Sequence, residues 1–330
     1  HLKKVNFLVL LIKIYYVYFY NRICINQIII MKLFDCSLYY DEDLVLNTRL
    51  NILDKYFDKF IICESKYTHS GRKKKLNFDI NKFSDFKDKI IYVVNDQEPS
   101  DLLYQLNENE KKELPEHFRY NAIKRIAFQR NTLMKAVEQL ASPNDFIFYS
   151  DNDEIPNMEN FAKYKETNDI VIFEQKLFYY KFNLIFDRIF WYGTKAVKKK
   201  KLINFEWLRQ VKPKKYNFYR LDTFFKKDKY INLKIIKDGG WHFTRVISPE
   251  EIHQKELDAE HHDEYRASNK NPTRIKDLID RRVIDHDHIA DSKNSKYGNE
   301  FKLKVISMDE LPEYIKMNWK KYEQFLDLRT

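Results

Sequence analysis

Short apolar runs alternate with amphipathic stretches from residue 31 onward, and this pattern predicts alternating strands and helices. The predicted strands cover residues 33–36, 60–63, 90–94 and 146–149. These runs are rich in aromatic and β-branched residues and are too short for helices, so we interpret them as buried strands. A helix is predicted over residues 43–56, with an apolar face formed by Leu44, Leu46, Leu50 and Leu53. Strands that alternate with helices indicate an α/β fold with a mainly parallel sheet.

A longer helix is predicted over residues 119–141, just before the last of these strands. Its core-facing positions recur at helical spacing and are Ile123, Ile126, Ala127, Met134, Val137 and Ala141. Arg119 and Arg130 fall on the same face, and an arginine on a buried face needs an anion. Two interpretations are open: these arginines pair with internal carboxylates, or Arg130 reaches the acidic residues after the next strand or a bound phosphate.

Three carboxylates follow the strand at 146–149 within four positions: Asp151, Asp153 and Glu154, before Pro156. Ligands of open α/β sheets bind outside the carboxyl ends of the strands, which is where these residues fall. Residues i and i+2 of an extended chain point the same way, so Asp151 and Asp153 can face one cation. Such an Asp-x-Asp suits Mg²⁺ or Mn²⁺ held between the protein and a diphosphate. The alternative is a solvated acidic turn.

Five glycines occur in the chain, and three of them lie in two short motifs. Gly71 lies in a basic turn that ends at Lys75, and the glycine pair at 239–240 precedes Trp241 and His242. A chain this poor in glycine is expected to use it where the backbone bends sharply or lets a ligand approach. On this basis His242 either binds a metal or a diphosphate, or is a core histidine.

The remainder of the chain has a looser pattern. Residues 170–182 and 216–235 resemble strands, and the aromatics between residues 178 and 192 either stack on sugar rings or belong to the core. Residues 260–265 follow a predicted helix over 249–257 and are interpreted most simply as a solvated polar turn. An amphipathic helix over residues 311–328 is expected to close the fold.

The charge balance changes this picture little. The 330 residues carry a formal charge of +10, but 59 Lys and Arg are interspersed with 49 Asp and Glu, so we expect a mild preference for anionic ligands. A basic patch from residues 198–201, with Lys212, Lys214 and Lys215, leaves nucleic-acid binding as a rival function. A non-catalytic sugar-binding module is a second rival. The 3 cysteines show no metal spacing, which favours a reducing, cytoplasmic compartment.

Residues 1–30 are set apart from the rest. The chain opens with His1, and its first apolar run is interrupted by Lys13 and Arg22 before Met31. We expect these residues to be read-through of upstream DNA or a weak membrane anchor, and membrane association, with a Golgi-like location, only through them. Residues 31–330 are expected to form one domain, with a nucleotide-binding half at 31–156 and an acceptor half at 157–330.

Several motifs in this order resemble glycosyltransferase family 17, and the likeness covers about residues 31–328. The motifs are Asp35-Cys36, Leu50-Asn51, Ser70-Gly71, Phe128-Gln129-Arg130-Asn131, Ser150-Asp151-Asn152-Asp153-Glu154-Ile155-Pro156, Gly239-Gly240-Trp241-His242-Phe243 and His262-Asp263-Glu264-Tyr265. The family contains the β-1,4-mannosyl-glycoprotein 4-β-N-acetylglucosaminyltransferases and many bacterial and viral relatives.

The resemblance implies a GT-A-like fold, UDP-GlcNAc as donor, a glycan acceptor, Mn²⁺ or Mg²⁺, and inversion at the anomeric carbon. A metal would then be held by Asp151, Asp153 and His242. The donor-contacting residues would be Arg130, Gly71, Lys75, Asp151, Trp241 and His242. Inversion requires a base for the acceptor hydroxyl, and Asp238 and Glu154 are the two candidates. The acceptor glycan and the oligomeric state are left open.

Overall fold

A seven-stranded sheet lies at the centre of the part of the chain that the structure describes. The structure is a computed structural model that describes residues 31–107, 110–164, 168–214, 232–288 and 297–329. The expectations about residues 1–30, Lys215 and most of the strand-like stretch at 216–235 lie outside the described residues. Residues 33–330 cluster as one compact unit. No helix within the described ranges has the length and apolar character that a bilayer crossing requires.

Strands are numbered in chain order. They are β1 (Leu33–Tyr39), β2 (Lys59–Ser65), β3 (Ile90–Asn95), β4 (Gln105–Asn107), β5 (Glu110–Lys112), β6 (Phe146–Ser150), β7 (Glu154–Pro156), β8 (Ile170–Phe173), β9 (Gln175–Tyr179), β10 (Leu184–Trp191), β11 (Lys195–Lys198), β12 (Leu233–Ile236), β13 (Gly240–Thr244), β14 (Val283–His286), β15 (Tyr297–Lys302) and β16 (Lys304–Val305). The central sheet has the order β12-β8-β11-β6-β1-β2-β3. All of its neighbours pair in parallel except β11, which runs antiparallel to β6 and β8.

The α-helices are also numbered in chain order. They are α1 (Asp43–Leu53), α2 (Phe118–Thr132), α3 (Met134–Leu140), α4 (Phe205–Gln210), α5 (Pro249–Asp258), α6 (His262–Ala267), α7 (Pro272–Asp280) and α8 (Glu313–Met317). Helix α2 packs on β1, β2 and β3, and α4 packs on β6. The predicted fold class, a mostly parallel central sheet flanked by helices, is confirmed. The predicted closing helix is shorter than expected, because α8 is followed by a 3₁₀ turn at Trp319–Phe325.

The long helix predicted before β6 differs from the observed structure in two ways. It is divided at Leu133 into α2 and α3, and its buried face is rotated from the predicted one. Ile123, predicted for the core, is 42% exposed, whereas Asn121 and Gln129 are buried. These two amides bond the backbone of neighbouring segments, and hydrophobic periodicity does not register polar residues that are buried by such bonds.

A second sheet has the order β16-β10-β9-β13-β7. Its strand β7 follows Asp153 directly and pairs antiparallel with β13. Because β6 belongs to the central sheet and β7 to the second one, residues 151–153 form the link between the two sheets. The two sheets, one before and one after the Asp-x-Asp, therefore fix its position together.

The guanidinium of Arg49, on α1, holds this link in place through hydrogen bonds. Its Nε and Nη2 donate to Oδ2 and Oδ1 of Asp35 in β1, at 2.8 and 2.6 Å. Nη2 also donates to Ser150 Oγ at 2.6 Å, and Nη1 donates to the carbonyl of Glu154 at 2.6 Å. The side chains of Arg49 and Asp35 are 0% and 1% exposed. One buried cation thus joins α1, β1, the end of β6 and the start of β7.

Replacing Arg49 tests this anchor. Arg49→Met leaves the Asp35 carboxylate buried without its partner, so we expect the free energy of unfolding to fall by about 3–5 kcal/mol. Urea denaturation of the whole chain measures the change. The matched control is Arg274→Met, which removes an exposed arginine paired with Asp277 and Glu300 and should cost less than about 1 kcal/mol. Equal losses in the two variants would contradict the assignment.

Candidate active site

A cavity of about 540 Å³ opens where β1, β2 and β6 end. One wall comes from residues 38–42 and 65–69, which follow those strands, and the Asp-x-Asp residues 151–153 lie beside it. The other wall includes Trp191, His242 and residues 255–261. The volume is typical of small-molecule sites, and the location agrees with the rule that α/β sheets bind ligands at the carboxyl ends of strands.

Asp151 lines this cavity, but its carboxylate is already engaged. Oδ2 accepts a hydrogen bond from Nη2 of Arg209 at 2.9 Å, and Oδ1 accepts one from the Tyr149 hydroxyl at 3.1 Å. Burial favours the neutral acid, but Arg209 and Arg130 outweigh it and lower the pKa of Asp151 to about 2. Asp151 is thus ionised and neutralised by protein cations, which leaves it less free to hold a metal than the sequence predicted.

Asp153 and His242 lie side by side, as their motifs predicted. Nε2 of His242 is 3.4 Å from Oδ1 of Asp153. Burial alone would lower the pKa of His242, but the neighbouring carboxylates, Asp153 first, raise it. Burial likewise opposes ionisation of Asp153, and His242 and Lys255 overcome it and lower the pKa of Asp153. Oδ2 of Asp153 accepts no hydrogen bond from the described residues.

Asn152, between the two aspartates, has an unsatisfied side chain. The residue is 5% exposed and lines the cavity, yet neither Nδ2 nor Oδ1 has a hydrogen-bond partner in the described structure. An unpaired buried polar group costs about 1–3 kcal/mol. Both atoms are enclosed by the protein, so this cost is part of holding residues 151–153 in the observed conformation.

Glu154 is fully buried behind the cavity and does not line it. Its carboxylate accepts hydrogen bonds from Nε1 of Trp191 at 2.6 Å, from Nη1 of Arg209 at 3.0 Å and from the backbone N–H of Asp151 at 2.8 Å. This corrects the expectation that Glu154 is a base, because its position gives it no access to an acceptor hydroxyl. Its observed role is to orient Arg209 and Trp191.

Arg130 follows the first of the two interpretations offered for it. Its Nη1 donates to Glu206 on α4 at 2.8 Å, and its Nε donates to the Tyr149 hydroxyl at 3.0 Å. It is buried, does not line the cavity, and reaches Asp151 through Tyr149. Arg130 therefore lies behind the residues that line the cavity, and its direct contact with a donor phosphate stays a prediction.

The Gly-Gly-Trp-His motif forms strand β13 and not a loop over the cavity. Alternation along the strand turns His242 and Thr244 into the cavity wall and turns Trp241 away, so that its Nε1 donates to the carbonyl of Glu310 at 3.0 Å. Gly240 has a φ of 130°, and a Cβ there would lie 2.1 Å from the carbonyl oxygen of Ile155. Glycine is required for close approach to β7, and Trp241, predicted to contact the donor, is not among the residues that line the cavity.

Three further predicted residues do not line the cavity either. Asp238 is exposed in the turn between β12 and β13, with a φ of 47°. Gly71 has a left-handed φ of 94° and packs against the guanidinium of Arg125. Lys75 is exposed, and its neighbour Lys74 lines the cavity in its place. The turns lie where the glycines predicted them. Packing between segments that are far apart in the sequence determines which side chains reach the cavity.

Arg209 and Trp191, which hold the Asp-x-Asp in place, were not predicted from the sequence. Both partner Glu154, and Arg209 also partners Asp151. A signal existed, since a carboxylate inside the apolar strand Glu-Ile-Pro must find a buried cation. The sequence does not say which of its many cations that is, because Arg209 lies 55 residues further along the chain.

Within the described ranges, no group of three or more His, Cys, Asp or Glu side chains is arranged to hold a metal ion. A preformed protein cage is not required for Mg²⁺ or Mn²⁺, because such ions are commonly held by one or two carboxylates together with substrate phosphates. Asp153, with one oxygen open to the cavity, meets that requirement, whereas Nε2 of His242 faces the other oxygen of that carboxylate.

Gly193 offers a test of the Glu154 network. A Cβ at this position would lie 2.2 Å from the carboxyl carbon of Glu154, so Gly193→Ala must displace that side chain. We expect the free energy of unfolding to fall by about 1–3 kcal/mol, as measured by urea denaturation. In a Glu154→Ala background the clash is absent, and the same substitution should cost much less. Equal costs in both backgrounds would show that Gly193 does not pack against Glu154.

A search of curated proteins found no match. Among solved structures, the crystal structure of HddC from Yersinia pseudotuberculosis complexed with GMP-PN covers 63% of this chain and 90% of its own, at 12% identity and a TM-score of 0.28. Residues 26–213 match the family model described as Glycosyltransferase family 17. Because that match spans more than half of the chain and includes the Asp-x-Asp, the protein belongs to glycosyltransferase family 17.

Proposed function

We propose that this glycosyltransferase is an inverting, metal-dependent enzyme that moves N-acetylglucosamine from UDP-GlcNAc to a hydroxyl of a glycan acceptor. The observation that carries the proposal is the carboxylate of Asp153, which lies in a cavity at the carboxyl ends of the strands and keeps one oxygen without a hydrogen bond from the described residues. That oxygen is available to a ligand. The choice of donor sugar and of acceptor comes from the family.

Asp153 is the residue we assign to the diphosphate end of the donor. Its chemistry fits Mn²⁺ or Mg²⁺, which when bound would stabilise the negative charge that develops on the departing UDP. His242 orients the Asp153 carboxylate, and Lys255 lines the same cavity. Burial disfavours the charged form of Lys255, but Glu42 and Asp153 raise its pKa, so it adds positive charge where the leaving group forms.

Glu260 is our candidate for the base. It lines the cavity, and Nε2 of His261 lies 3.8 Å from its Oε1. Three other carboxylates of the cavity are held in ion pairs, namely Glu42 with Lys255, Glu256 with Arg245 and Asp258 with Arg72. Burial raises the pKa of Glu260 against the opposing effect of Arg130 and Arg119, which makes it a stronger proton acceptor. In the reaction it takes the proton of the acceptor hydroxyl as that oxygen attacks the anomeric carbon and UDP departs.

The rival functions are less consistent with the site. Lys198 and Lys199, at the centre of the predicted basic patch, pair with Asp169 and Glu138 and are not arranged toward a common ligand. A sugar-binding module has no need of the carboxylate of Asp153. A reducing, cytoplasmic compartment belongs to the proposal, since Cys36 and Cys63 are buried free thiols.

Asp153→Asn tests the donor site. The change keeps the shape of the side chain and removes its charge, so metal-dependent UDP release from UDP-GlcNAc should fall at least about a hundredfold. Trp241→Ala is the matched control, because Trp241 lies next to His242 in β13 but outside the cavity. The control should retain activity within about threefold. Near-normal activity of Asp153→Asn would contradict the assignment of Asp153 to the donor site.

Glu260→Gln tests the base. A base works in its ionised form, so the transfer rate should fall as the pH drops through the raised pKa of Glu260, at a higher pH than for an ordinary glutamate. The variant should lose about 10²–10⁴-fold in kcat and lose this acid limb of the pH profile. Glu250→Gln, which changes an exposed glutamate of α5 outside the cavity, serves as the control. An unchanged pH profile in Glu260→Gln would assign the base elsewhere.

A further inference from the structure

Gln129 has a fixed orientation because both ends of its amide are engaged. It lies on the buried face of α2, and its Nε2 donates to the carbonyl of Cys63 in β2 at 3.2 Å. Its Oε1 lies 3.0 Å from Nε2 of His69. Reversing the amide would place its oxygen against the Cys63 carbonyl, so that two acceptors would face each other. The Gln129 oxygen must therefore face His69.

This orientation determines where His69 carries its proton. Because Nε2 faces an acceptor, it is the protonated nitrogen of the ring. Burial lowers the pKa of His69 to about 4, despite the opposing hydrogen bond from Gln129, so the ring is neutral at physiological pH. Nδ1 then carries a lone pair and can act only as an acceptor.

Nδ1 of His69 is accessible from the cavity. It makes no hydrogen bond to the described residues, and it is not one of the enclosed atoms that lack a partner. His69 stands on the wall formed by residues 38–40 and 65–69, at the ends of β1 and β2. This wall is rich in apolar and aromatic surface, as a flat heterocyclic ring requires, and it belongs to the same cavity as Asp153.

We propose that His69 selects the nucleobase of the donor: its Nδ1 accepts a hydrogen bond from the imide N3–H of uracil and disfavours cytosine, whose N3 presents a lone pair. Gln129 is the positioning residue that holds His69 in the accepting tautomer. The inference rests on the proposed nucleotide-sugar function and deepens it by naming the residue that reads the base. An acceptor facing an acceptor leaves both unsatisfied, which is the physical basis of the discrimination.

The test compares the affinities of UDP and CDP for the full chain by calorimetry, because the two nucleotides differ only at this edge of the base. Wild type should bind UDP at least about tenfold more tightly than CDP, and His69→Ala should bring that ratio near one. His253→Ala, which changes a histidine of α5 outside the cavity, should keep the wild-type ratio. In Gln129→Glu the new carboxylate beside Nε2 should raise the pKa of His69, so that the ring also carries a proton on Nδ1. Nδ1 then donates a hydrogen bond, and the preference should shift toward CDP.

The outcomes separate this inference from the proposed function. A wild-type ratio that persists in His69→Ala, while sugar transfer from the UDP donor continues, overturns the role of His69 and leaves the function standing. A wild-type protein that binds UDP and CDP equally overturns it as well. Failure of the wild type to bind either nucleotide or to release UDP overturns both. Loss of the UDP preference in His69→Ala with an unchanged melting temperature supports the inference.

Discussion

The structure depends on one buried guanidinium. The Arg49 side chain is fully buried. It donates hydrogen bonds to a carboxylate in β1, a hydroxyl at the end of β6 and a backbone carbonyl at the start of β7. A buried charge is tolerated only when its donors are satisfied, and here the partners are the segments that carry the site. The link at residues 151–153 is thereby held in one conformation before any ligand arrives. Preorganisation of this kind keeps reacting groups in place without a cost at the moment of binding.

Above this anchor, charge is divided unequally between the two aspartates. Arg209 bridges Asp151 and Glu154, and Tyr149 also donates to Asp151, so this half of the site is internally neutralised. Asp153 has His242 beside it and keeps an oxygen toward the cavity. The Asp-x-Asp motif therefore contains one structural and one available carboxylate. This arrangement leaves a single carboxylate toward the cavity and avoids the repulsion of two free carboxylates.

The cavity exists because two sheets meet at that link. The central sheet contributes the segments after β1, β2 and β6, and the second sheet contributes β13 and the end of β10. Gly240 allows β13 to lie against β7, which brings His242 next to Asp153. Polar side chains from both sheets, Asp153 and His242 among them, then line one space. A glycosyltransferase binds a donor and an acceptor, and a cavity built from separate segments offers surface to each.

Local pattern was sufficient for much of the fold. The four predicted strands, their parallel pairing and the position of the Asp-x-Asp at a strand end were correct, since periodicity, strand length and composition are properties of neighbouring residues. The motif order likewise indicated the family. The break at Leu133 and the rotated face of α2 were not predicted, because buried amides and arginines carry no hydrophobic signal.

Tertiary structure alone decided which residues form the site. The sequence places Glu154 and Trp241 in informative motifs, yet strand alternation and pairing turn one into the interior and the other away from the cavity. Arg209 and His69 lie in unremarkable stretches, and folding brings them to the cavity or to its carboxylates. The physical reason is that side-chain direction depends on register, and ion pairs form between residues far apart in the chain. The sequence by itself determined the elements and the chemistry they carry, while long-range packing determined which groups meet.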